Sequence, residues 1–259
     1  MRISMRAKKA IEWLRANEDG GIAAWAGHKP YPEVSGYLIP TLLDYGEKEL
    51  AQKLAGWLVS IQNSDGSFDG LDGVKRTFDT GAVMEGLRAA GHKKEAVKAQ
   101  VWLEKQTMSS GVLREVPDND RTESYTMRVS GLLGNHTATE YWRNYPHPKS
   151  QRTHYLAYML EGLLNLGYTE YVTEQLTRLS SSGLMPAYVD NNLQPVSGTD
   201  TTATAQIGIL KLKCGMPFDP SALYALQLDN GGLPHDTGDS RQISWAIKYF
   251  LDLEKIVNV

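Results

Sequence analysis

Apolar residues recur along the chain at three- and four-residue spacing, the period of one helix face. Leu50, Leu54, Trp57, Leu58 and Ile61 form one such stripe, with charges on the opposite face. Ile11 and Leu14, then Val97, Val101 and Trp102, then the stretch from Val172 to Leu179, repeat it. Each predicts a helix with one wet side. Between them lie less charged helices, expected at about 34–45, 78–90, 123–133, 153–166, 200–213 and 240–254. Their interiors read Tyr37-Leu-Ile-Pro-Thr-Leu-Leu, Thr80-Gly-Ala-Val-Met-Glu-Gly-Leu or Tyr155-Leu-Ala-Tyr-Met-Leu-Glu-Gly-Leu-Leu. Gly81, Gly86, Gly131, Gly162 and Gly208 inside them imply close backbone approach, because glycine costs up to about 1 kcal/mol in a helix interior.

A glycine turn closes the wet helices five times: Asn17-Glu-Asp-Gly, Gln62-Asn-Ser-Asp-Gly-Ser-Phe, Gln106-Thr-Met-Ser-Ser-Gly, Ser180-Ser-Ser-Gly and Gln227-Leu-Asp-Asn-Gly-Gly. After the second turn, Thr77, Asp79 and Thr80 are positioned to accept from free N–H groups of the next helix. The dry helices start about 40–47 residues apart, with one gap of about 30 whose outer helix, near Thr137 to Asn144, would be short. No strand-like alternation of any length is visible. Six wet and six dry helices close most naturally into a double ring. The expectation is an all-α fold, an (α/α)6 toroid, in one domain over 1–259.

Composition narrows the function. The 259 residues carry a net charge of −3 with both signs scattered, which gives no electrostatic footprint for nucleic acid. No apolar run approaches the ~18 residues of a membrane span. The basic N-terminus has no apolar segment behind it, so the expected location is cytoplasmic. One cysteine, Cys214, excludes an internal disulfide and multi-cysteine metal sites, and reads as a structural helix residue. No metal or other cofactor is expected. Thirteen Tyr and six Trp beside four Phe suit a cleft that is apolar yet offers hydrogen bonds.

The turn Gln62-Asn-Ser-Asp-Gly-Ser-Phe is similar to the Gln-x-x-Asp-Gly-Ser-Trp repeat of the terpenoid cyclase and prenyltransferase toroids. The runs Tyr31-Pro-Glu-Val-Ser-Gly-Tyr-Leu-Ile-Pro-Thr, Phe78-Asp-Thr-Gly-Ala-Val, Tyr125-Thr-Met-Arg-Val, Thr153-His-Tyr-Leu-Ala-Tyr and Ile243-Ser-Trp-Ala-Ile resemble more closely toroid proteins encoded among bacterial polysaccharide genes. The resemblance covers nearly the whole chain and implies the toroid. It leaves the chemistry open, because this fold carries glycosidases, uronate lyases, epimerases, cyclases and inert scaffolds.

In such a ring the dry helices would all begin at one end, with their positive dipole ends around a cavity mouth. The candidate acid/base groups there are His154, Tyr155, Tyr158, Glu33, Asp79, Glu123 and Asp200. Tyr31, Tyr37, Arg76, Tyr125, Arg128, His235, Asp236, Arg241 and Trp245 are the candidates for holding a substrate. Each also has a structural reading. Asp79 and Asp200 match N-caps, Glu33 complements a helix dipole, and His235-Asp236 fits turn chemistry. Arg128, on an apolar helix, needs a partner, most simply Glu33, Asp79 or Glu123. Three functions remain: an enzyme acting on a uronate-bearing glycan as hydrolase, lyase or epimerase; a non-catalytic glycan-binding or scaffold toroid; and an isoprenoid-handling protein. The absence of an Asp-x-Asp-Asp run and the scarcity of Phe count against the last. Oligomeric state is not legible.

Overall fold

A computed structural model describes residues 3–117, 119–179 and 183–258. Ser180 to Ser182 of the expected fourth turn lie outside them. Six outer helices, α1 (Met5–Ala16), α3 (Lys48–Ile61), α5 (Lys93–Glu104), α7 (Thr137–Arg143), α9 (Thr169–Arg178) and α11 (Ser221–Tyr224), alternate with six inner ones among the described residues. The inner helices are α2 (Pro32–Asp44), α4 (Thr77–Ala89), α6 (Thr126–Leu133), α8 (Thr153–Asn165), α10 (Thr201–Lys213) and α12 (Ser244–Val257). The inner set packs in chain order, and α12 returns to α2. The double ring closes.

Two repeated devices stitch it. The first backbone N–H of an inner helix has no intrahelical acceptor. Here it donates to the loop of the next repeat: Thr77 N to Glu115 O (2.9 Å), Thr153 N to Ala187 O (3.0 Å), Thr201 N to His235 O (3.1 Å) and Ser244 N to Ala24 O (3.1 Å). The last of these joins the end of the chain to its beginning. In the outer ring, the Gln of the glycine turn reaches the neighbouring helix. Gln62 Nε2 donates to Glu95 O at 2.9 Å and Gln227 Nε2 to Arg6 O at 2.9 Å. The turn glycines sit close beneath. A Cβ on Gly231, whose φ is +88°, would lie 2.0 Å from Lys9 O. Gly231→Ala should therefore destabilise the fold by well over the roughly 1 kcal/mol that a strained backbone alone costs. Gly215→Ala, at φ +71° with open space around it, isolates the backbone part. Equal losses of the two variants in urea unfolding would exclude the steric contribution.

Inner helices touch backbone to backbone where glycines face each other. A Cβ on Gly86 would lie 2.2 Å from Gly36 O. Thr80 does not cap its own helix: its Oγ1 accepts from Phe68 N (3.0 Å), as Ser35 Oγ accepts from Ile22 N and Thr204 Oγ1 from Met185 N (2.9 Å each).

Three expectations are corrected. The helix expected from 123 starts at Thr126, and the one expected from 240 starts at Ser244. Besides the short α7, α11 is a single turn, hemmed in by Pro220 at its start and the Gln227 glycine turn after it. Short strands also exist: β1 (Glu18–Asp19) with β2 (Gly21–Ile22), and β3 (Gln151–Arg152), β4 (Tyr188–Val189) and β5 (Pro195–Ser197) in a three-stranded strip. Two or three residues are too few to leave an alternating pattern.

Candidate active site

A cavity of about 520 Å³ opens at the end where the inner helices begin. Its wall is built by one contribution from each inner helix start: Tyr31 and Glu33 at α2, Arg76 and Asp79 at α4, Tyr125 before α6, His154, Tyr155 and Tyr158 on α8, Asp200 at α10, and His235, Arg241 and Trp245 around α12. Residues as far apart in sequence as Tyr31 and Trp245 become neighbours because the ring closes.

Four candidates fall elsewhere. Tyr37 and Arg128 line a second cavity of about 570 Å³ at the opposite end of the ring. Arg128 pairs with Glu85 (2.7 Å) and Glu161 (3.1 Å), not with Glu33, Asp79 or Glu123. Its helix starts later than the pattern suggests, and its buried side chain reaches the glutamates of both flanking helices. Glu123 pairs with Arg121 at 2.5 Å, outside the cavity wall. Asp236 Oδ1 accepts from Gly238 N and Asp239 N, so it shapes its own turn.

Six lining residues were not among the candidates: Trp25, Leu71, Phe78, Glu115, Arg152 and Ile243. Glu115 occupies the same place as His235, each lending its carbonyl to the start of a neighbouring inner helix. Superposing the repeats would have found it. Phe78 belongs to a closed circuit of rings. Centroids run from Phe78 to Tyr125 (5.3 Å), Tyr155 (4.7 Å), His154 (5.8 Å), Tyr158 (4.5 Å) and back to Phe78 (4.6 Å). This makes a wall of amphipathic faces.

The carboxyls are held in unusual states. Asp79 sits at the third position of α4 and makes no cap; its Oδ2 accepts from Tyr31 Oη at 3.0 Å. It is 2% exposed, and burial first, then the charges of Glu33 and Glu115, push its pKa well above the usual carboxylate range. Burial also raises Glu33, while hydrogen bonds and the charge of Arg128 oppose this without cancelling it. Two adjacent carboxyls of this kind titrate as a pair, and the second proton is released only against the charge left by the first. Glu115 is raised to about 7 by burial, against the pull of Tyr125 and Arg76. Asp200, by contrast, is an N-cap, with Oδ1 accepting from Ala203 N at 2.8 Å.

His154 is pushed down by burial, opposed by Asp200 and by a 2.7 Å contact from Nδ1 to Gln206 Oε1. With that contact donated by Nδ1, Nε2 of the neutral ring is the basic atom. Burial raises all four cavity tyrosines, Tyr31, Tyr125, Tyr155 and Tyr158.

The raised carboxyls have a thermodynamic consequence. Between pH 4.5 and about 7 the folded chain keeps a proton on Glu115 that the unfolded chain has released. Stability therefore falls as pH rises through this window, by about 3 kcal/mol from Glu115 alone. Asp79 and Glu33 act with the same sign. Glu115→Gln should remove its share, seen as a smaller difference between urea unfolding at pH 5 and at pH 7.

No family model matches the sequence, and neither does any curated protein. Solved structures do match, over nearly the full length of both chains. One is a novel alpha-amylase from Clostridium perfringens, 12% identical, covering 97% of this chain and 98% of that chain with a TM-score of 0.71. A variant of the type II terpene cyclase MstE from Scytonema is 13% identical, covering 97% and 95%, with a TM-score of 0.67. An unsaturated glucuronyl hydrolase specific for heparin gives the same values. The fold is an (α/α)6 toroid. At such identities the toroid is what these proteins share, and the fold by itself carries no chemistry. Among the described residues, no helix of this toroid is long and apolar enough to cross a membrane.

Proposed function

We propose that the protein hydrolyses a glycan in the cavity at the starts of the inner helices, by acid/base chemistry. The observation that carries this reading is the Glu33–Asp79 pair, two adjacent carboxyls whose pKa values are both raised. Among the described residues neither has an ion-pair partner, so neither is tied up as a salt bridge. A carboxyl whose pKa is raised is the group suited to protonate a departing sugar oxygen. Glu115, titrating at about 7, and the neutral His154 are the bases available to activate water.

Elimination and epimerisation are less well supported. Both would use His154 together with a tyrosine to move protons, and every tyrosine in the cavity is shifted away from the phenolate. Isoprenoid chemistry is disfavoured by the lining, where Glu33, Asp79, Glu115, Asp200 and His154 meet. The similarity to an alpha-amylase and to a glucuronyl hydrolase agrees with a sugar substrate.

The test is a panel of uronate-containing and neutral polysaccharides, followed by reducing-end release and by ultraviolet absorbance. New reducing ends without new absorbance are expected. Absorbing unsaturated ends would instead indicate elimination, and no reaction across the panel would remove the enzymatic reading.

A further inference from the structure

Three arginines stand at the cavity mouth, and two are already engaged. Arg76 binds Asp72 at 2.6 Å and Glu115 at 3.4 Å. Arg241 grips Asp239 through Nε and Nη2. Arg152 is exposed, and among the described residues its guanidinium has neither an ion-pair partner nor a hydrogen-bond acceptor.

Two aromatic rings lie beside it. Arg152 lies on β3, directly across from Tyr188 on β4. Its Cζ is 5.6 Å from the ring centroid of Tyr155 and 5.8 Å from that of Tyr188. Nearness to two aromatic rings is a cation–π contact that uses none of the guanidinium N–H groups, so these stay free to donate to an anion. A guanidinium takes paired oxyanion oxygens in bidentate fashion, and on a glycan the carboxylate of a uronate supplies such a pair. Of the two rings, Tyr155 lines the cavity and Tyr188 lies outside its wall. Arg152 thus bridges the cavity and the strip of strands beside it.

We propose that this strip is a second sugar subsite, in which Arg152 takes the carboxylate of a uronate residue and Tyr188 supports its ring. The inference rests on the glycan reading above and narrows it: the substrate is an anionic oligosaccharide of at least two residues. One residue occupies the cavity against Asp79 and Glu33, and the neighbouring uronate lies across Tyr155, Arg152 and Tyr188. A half-buried tyrosine suits this place, offering an apolar face to a sugar ring and a hydroxyl to its edge.

The experiment is calorimetric titration with a hexuronic acid, its trisaccharide and a neutral trisaccharide of the same length. Wild type should bind the uronate trisaccharide at least tenfold more tightly than the monomer. Arg152→Gln and Tyr188→Ala should each remove most of that tenfold advantage, so that trisaccharide affinity falls much further than monomer affinity. Arg152→Lys, which keeps charge but loses the bidentate geometry, should restore only part of it, and Arg152→Gln should not alter binding of the neutral trisaccharide. Circular dichroism checks that the strip variants are folded. Binding that is independent of chain length in wild type, or equal loss for monomer and trimer in the variants, would overturn the subsite and leave the glycan reading standing. No binding of any saccharide would overturn both.

Discussion

Asp79→Asn should lower the rate of glycan cleavage by about 10²–10⁴-fold, the usual contribution of a positioned general acid. The amide is nearly isosteric and its oxygen can still accept from Tyr31 Oη. It cannot give up a proton to a leaving oxygen. The loss should appear in kcat with KM little changed, because the group acts on the transition state. The variant should also be more stable than wild type near neutral pH, since a buried carboxyl beside Glu33 and Glu115 has been removed. A rise in stability with a fall in activity separates this outcome from simple misfolding. An Asp79→Asn protein with wild-type turnover would exclude Asp79 as the acid.

The second large effect concerns stability. Arg128→Met should destabilise the toroid by about 3 kcal/mol at neutral pH, the lower end of the ~3–5 kcal/mol range for breaking a buried ion pair. The lower end applies because the side chains of Glu85 and Glu161 remain 27% and 20% exposed, whereas that of Arg128 is 2% exposed. Burial alone would raise Glu161, but the charges of Arg128, Lys248 and Lys213 outweigh it and hold the carboxyl below its usual range. A depressed carboxyl stabilises the fold above its unfolded pKa, and that contribution disappears as pH falls through the folded value. The gap between Arg128→Met and wild type should accordingly be widest near pH 7 and shrink in acid. Urea unfolding as a function of pH measures it. A gap that stays constant with pH would mean that packing, not charge, is what Arg128 supplies.

The sequence announces the ring because its grammar is periodic. Stripes such as Leu50 to Ile61 require a partner on one side only, and inner segments such as Thr80 to Leu87 are buried apart from Glu85. The Gln62 and Gln227 turns carry the same staple, so the chain's own repetition foretells closure. Inner helix starts such as Glu33, His154 and His235 follow from the ring. What escaped notice is set by contacts across repeats. The partners of Arg128 are foreshadowed by Met84-Glu85-Gly86-Leu87 and Leu160-Glu161-Gly162-Leu163, the same motif on the two flanking helices. Glu115 and Arg152 sit in loop and two-residue strand, where no period marks a facing side chain. Asp79 looks like a cap in sequence, and only the approach of Tyr31 from α2 gives it another task.

The proposed chemistry turns on the raised pKa values of Glu33 and Asp79. Carbon-13 NMR titration of the side-chain carboxyls, with signals assigned through Asp79→Asn and Glu33→Gln, measures them directly. The expected result is a carboxyl that titrates well above the usual range in wild type, with Asp79 lowered by Glu33→Gln yet still raised by burial. Two carboxyls that both ionise in the usual range of about 4 would contradict it.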